Sequence, residues 1–121
     1  MNKEVTLDAV GRRIVEFVRD DTLRGLDQLL DGTAKAPSLR NIAARLGRSS
    51  EEERTLIRDV AAWAIDNTLH NCMWLLEGGE GLELHMTEPG RAPVNISALS
   101  DGLAGELASE KGWIQSFSKY K

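Results

Sequence analysis

The sequence predicts a mostly helical α+β domain, and three observations predict it. Apolar residues recur at three- and four-residue steps through residues 7–31, the spacing of one helix face. A long stretch over 51–76 is apolar from Val60 onward, with few charges. Over 82–97, apolar and polar residues alternate with the period of a strand.

Leu7, Val10, Ile14 and Val18 mark the first helix face, and Leu23, Leu26 and Leu30 continue it. Asp20-Asp21-Thr22 suits a fresh helix start between the two sets, because short polar side chains cap free backbone N–H groups. Gly32 suits the residue just past a helix end, and Thr33 to Pro37 reads as a loop. Ser38 is placed to cap a short helix through Leu46, ended by Gly47. Ser50 and Glu53 fit a capping box at the start of the 51–76 helix.

That helix lacks a wide charged face after Val60, which predicts neighbours on several sides. It is expected to be the central helix, with three or four helices packed around it and Trp63 and Trp74 buried. Glu77-Gly78-Gly79 ends it. Leu82, Leu84 and Met86, then Val94 and Ile96, predict a β-hairpin over about 82–97 turning at Pro89-Gly90. Leu99 to Leu107 suits a short helix, and Trp113, Ile114, Phe117 and Tyr120 a closing aromatic segment.

With 121 residues, 41% of them apolar and 28% charged, the composition is that of one globular domain, 1–121. Cys72 stands alone, which excludes an intrachain disulfide and a multi-cysteine zinc site. The N-terminus lacks the apolar run of a signal peptide, and no stretch has the length of a membrane span, so a cytoplasmic location is expected.

The charge distribution says more than the net −4. Residues 1–58 hold eleven Lys/Arg against ten Asp/Glu, whereas 59–110 hold nine acids against Arg91 alone. Such an acidic stretch repels nucleic acid and anionic lipid and attracts a basic partner.

Ser38 through Ile57 resembles the helix-turn-helix family, with Ile42-Ala43-Ala44-Arg45-Leu46-Gly47 as first helix and turn. The resemblance implies DNA binding, yet Glu51, Glu52 and Glu53 stand where the recognition helix meets bases, and carboxylates there repel phosphates. A plain helical hairpin accounts for the same residues, and no tight DNA binding is expected.

Asp59, Trp63, Asp66 and His70 share one face of the 51–76 helix. The alternative function is an enzyme or metal-binding protein using Asp59, Asp66 and His70, in which Asp66 orients His70 as a general base or metal ligand, and Asp66 and His70 are the catalytic candidates. The plainer reading is a hydrogen-bonded pair, since a metal site needs more ligands than the sequence offers here. Cys72 reads as a small buried apolar residue, because His70 is too near in sequence to face it on a helix.

The expected function is therefore a small soluble non-enzymatic protein-binding domain, with no cofactor or metal. It docks a basic partner through an acidic face, in the manner of an immunity or inhibitor-type protein. Glu80, Glu83, Glu88 and Glu110 are the expected contacts, with Trp113 either a partner anchor or a core lid.

Overall fold

The structure, a computed structural model, describes residues 2–120; Met1 and the tail's Lys121 lie outside them. About two-thirds of the chain is helical, and one small antiparallel sheet makes it α+β. Helix α1 (Lys3–Ile14) starts where the Asn2 side chain accepts the Val5 N–H at 2.8 Å. It continues through a π-helical turn, Val15–Asp20, into α2 (Asp21–Asp31). The fresh start expected at Asp20 is therefore corrected, because Asp20 makes no capping bond. In a π turn the backbone bonds span five residues, so side chains five apart come to one side. Val15 and Asp20 thus share the inward side, and Arg19 is buried with them. Gly32 ends α2 at φ 84, a left-handed conformation that favours glycine.

A 3-10 turn (Pro37–Leu39) leads into α3 (Arg40–Gly47), which packs on α2. Ser38 lies inside the turn and no side chain caps α3, contrary to expectation. The capping box is present at the start of α4 (Glu51–Leu75): the Glu53 N–H donates to Ser50 Oγ at 3.1 Å, and the Ser50 N–H to Glu53 Oε1 at 3.0 Å.

The hairpin exists but is short. β1 (His85–Met86) pairs antiparallel with β2 (Val94–Asn95), His85 opposite Asn95 and Met86 opposite Val94. Before β1, Glu83 bridges to Glu77, and the Leu84 carbonyl accepts the Ile96 N–H at 2.8 Å, one bond beyond the paired strands. Ile96 begins helix α5 (Ile96–Leu99) instead of extending β2, because the Asn95 side chain accepts the Ala98 N–H at 3.1 Å. Ser97 Oγ accepts the Leu84 N–H at 2.8 Å and donates to the Leu76 carbonyl, which ties the hairpin to the end of α4. Helix α6 (Leu103–Ala108) is held by Glu77, whose Oε1 accepts the Ala104 N–H at 3.0 Å. Helix α7 (Trp113–Phe117) closes the chain.

The core joins Leu7, Val10 and Val15 to Leu69, Met73, Ile96, Leu103, Leu107 and Trp113. Trp113 is 3% exposed, and a Cβ added at Gly11 would overlap its ring. Gly11 is thus the recess into which Trp113 fits; of the two roles expected for Trp113 the core role holds, and the partner anchor is corrected.

The expectation for the other two tryptophans is overturned. Trp63 is 66% and Trp74 53% exposed, because α4 meets α2, the π turn and α6 along one side only. Of α4, only Leu69 and Met73 are buried.

Candidate functional site

Two arrangements stand out: an ionic clasp on the inner side of α4, buried at Arg19 and Asp20 and part-exposed at Asp66, and an apolar line on the helix's outer side. The clasp centres on Arg19. Its Nε donates to Asp66 Oδ1 at 2.6 Å and its Nη2 to Asp66 Oδ2 at 3.2 Å, a forked pair. Its Nη1 donates to Ser118 Oγ and to the Tyr120 carbonyl, both at 2.7 Å. Ser118 Oγ donates onward to Asp20 Oδ1 at 2.7 Å, and the Lys119 N–H to Asp20 Oδ2 at 2.9 Å. The π turn delivers Arg19 and Asp20, α4 delivers Asp66, and the residues after α7 complete the set.

This clasp is structural chemistry. Among the described residues, every buried side-chain nitrogen and oxygen has a partner, so the network offers no free group to a substrate. Asp66 is committed to Arg19, and the pairing expected between Asp66 and His70 is corrected accordingly. His70 and Asp59 are exposed. Among the described residues no three His, Cys, Asp or Glu side chains are grouped to hold a metal. Cys72 is exposed, not buried, and lines a shallow groove with Val18, Ala64 and Thr68.

The expected acidic contacts are dispersed in their bonding. Glu88 pairs with Arg13 at 3.5 Å and Arg91 at 3.7 Å, which spends much of its charge within the chain. Glu83 accepts from Asn95 Nδ2 at 3.0 Å and lies 3.9 Å from His85 Nε2. Glu80 and Glu110 are exposed. Glu51, Glu52 and Glu53 are exposed at the start of α4, and the Ser50 N–H and hydroxyl hold the Glu53 carboxyl below its ordinary pKa.

The outer side of α4 is different in kind. Positions 56, 60, 63, 67, 70 and 74 follow alternating steps of four and three, so they form one line along the helix. Leu56 is 64%, Val60 57%, Trp63 66% and Trp74 53% exposed. Asn67 and His70 are the polar positions of this line. Its inner counterpart carries Leu69 and Met73 in the core and Arg58, whose Nε donates to Asp27 of α2 at 2.9 Å. That contact raises the Arg58 pKa further above its ordinary value. The Glu77–Glu83 bridge returns the chain to the end of α4, where Trp74, Leu75 and Leu82 are also exposed.

The exposure is large for the whole chain. Its accessible surface is 8088 Å². A folded monomer of 13.3 kDa is expected near 6,450 Å², which leaves an excess of roughly 1,600 Å². No residue from Arg24 to Thr68, all of them described, is buried. Monomers rarely expose apolar patches beyond a few hundred Å².

Sequence reasoning missed this line as a surface, although its signal was present. A helix that is apolar on all sides has neighbours on all sides, and those neighbours were assigned to the chain itself. Arg19, the centre of the clasp, had no signal that set it apart from Arg12, Arg13 and Arg24 of the same helical stretch. The chain matches no protein-family model, no curated protein and no solved structure.

Proposed function

We propose that this chain is a non-enzymatic protein-binding domain and that the outer face of α4 is its binding surface. One observation carries the reading: Leu56, Val60, Trp63 and Trp74 lie exposed in a single line on a chain with excess accessible surface. Large aromatic side chains such as Trp63, near the middle of the line, are the residues that supply most binding energy at protein interfaces. Glu80 and Glu83 lie in the turn that follows the line and act as a charged rim, speeding encounter with basic groups. An adaptor or inhibitor-type role in the cytoplasm, including that of an immunity protein, fits such a surface. The commitment of Asp66 to Arg19 supports binding over catalysis.

Site-specific photo-crosslinking in cells tests the reading. A crosslinker at position 63 or 74 is expected to give protein adducts that the same group at Asn41 or Gln115, both exposed and polar, does not. Equal adduct yields at all four positions would overturn it.

A further inference from the structure

We propose that the occupant of this face is a second copy of the same chain, with the two α4 helices packed antiparallel about a two-fold axis. The inference rests on the reading of α4's outer face as a protein-binding surface and adds the partner's identity. Area supports it first. If each copy covers its excess of roughly 1,600 Å², the pair buries about 3,200 Å², within the range of obligate homodimers.

Charge supports it independently and selects the orientation. Residues 32–58, the stretch leading into α4 and its first turns, hold six Lys/Arg against Glu51, Glu52 and Glu53. Lys35, Arg40, Arg45 and Arg48 are all exposed. The three carboxylates sit on the positive end of the helix dipole, which partly offsets them, and the stretch stays net basic. Just past the other end of α4, Glu88 is paired with Arg13 and Arg91 and Glu77 accepts the Ala104 N–H, so the exposed Glu80 and Glu83 carry the acidic charge of this end. Each chain therefore carries a basic end and an acidic end separated by a helix of about 37 Å. Antiparallel packing sets the basic end of each copy against the acidic end of the other, twice over. Parallel packing sets like against like. The basic partner that the acidic stretch calls for is thus supplied by the chain's own other half.

The line itself suits this register. With Leu56 of one copy opposite Trp74 of the other, Val60 stands opposite His70 and Trp63 opposite Asn67. The Asn67 amide then accepts the Trp63 indole N–H, and a polar residue in an otherwise apolar seam fixes alignment. An isologous contact of this kind closes on itself and leaves no repeating surface.

Sedimentation of the full chain tests the proposal. At about 100 μM, well above the dissociation constants usual for interfaces of this size, twice the mass of 13.3 kDa is expected. A charge swap then tests orientation. The Glu80→Lys, Glu83→Lys variant and the Arg45→Glu, Arg48→Glu variant each dimerise about tenfold or more weakly, because each sets like charges together. Mixed one to one, they form a mixed dimer that recovers most of the loss. All four side chains are exposed, and recovery on mixing shows at once that both variants fold. A wild-type mass that stays at 13.3 kDa overturns the dimer. Swapped variants that dimerise like wild type, or a mixture no tighter than its components, overturn the antiparallel pairing. Crosslinks from position 63 to a different protein would overturn the dimer while upholding the binding surface.

Discussion

The two sides of α4 differ in what they ask of the chain. The inner side places Leu69 and Met73 in the core and Asp66 on Arg19. The outer side carries apolar residues that are more than half exposed, Trp63 above all at 66%. The same helix is thus half core and half interface, and amino-acid type does not distinguish the halves. What distinguishes them is where α2, the π turn and α6 come to rest. Stability of the isolated chain should follow the inner side, and association the outer.

The sharpest break in that comparison is at the clasp. Arg19→Ala removes the forked partner of Asp66 and the cation 3.6 Å from the 2%-exposed Asp20, and should cost about 3–5 kcal/mol in a denaturant melt. A loss under about 1 kcal/mol would mean that the clasp does not hold the residues after α7 to the π turn. In the core, Leu107→Ala should cost about 2–5 kcal/mol. Leu56→Ala, in a melt dilute enough to exclude association, should fall within about 0.5 kcal/mol of wild type. Equal losses at the two leucines would erase the distinction between the sides.

Two glycines sharpen it further. Gly11→Ala drives a methyl into the Trp113 ring, and should destabilise by about 1–3 kcal/mol. Gly25, in the unburied part of α2, has open space around its missing Cβ, so Gly25→Ala should stabilise by roughly 0.5–1 kcal/mol. Opposite signs from one chemical change are the expected result, and Tm shifts read them directly.

The smallest effect is at the start of α4. Ser50→Ala should cost about 1 kcal/mol, the usual loss on removing a cap. Glu53 adds a pH signature. Its carboxyl is held below its ordinary pKa by the Ser50 N–H first and the Ser50 hydroxyl second. Its stabilising contribution is therefore present above the unfolded carboxyl's pKa, and disappears as pH falls through the lower folded value. Glu53→Gln should flatten that part of the acid limb in a pH series of melts; an unchanged limb would contradict the assignment.

Much of the fold was legible in sequence because its signals are local. The capping box at Ser50 and Glu53, the glycine stop at Gly32 and the turn after Leu76 each depend on a few neighbouring residues. The hairpin was legible in place but not in length, since nothing in the alternation of Val94 and Ile96 reveals that Asn95 caps a helix. The π turn was hidden because Val15 through Asp20 keeps helical spacing either way, and only tertiary contacts place Arg19 and Asp20 inward. The candidate surface was legible as apolar character and illegible as a surface. Burial by the chain and burial by a partner select the same side chains.

Thermal melts of wild type and Trp63→Glu across a wide range of concentration test the central claim most directly. If Trp63 serves association alone, the wild-type Tm rises with concentration, because binding stabilises only the folded state. The Trp63→Glu variant should then match wild type at high dilution and show no rise. A Trp63→Glu Tm lowered by the same amount at every concentration would place Trp63 in the chain's own core, and would contradict the account of α4's outer face.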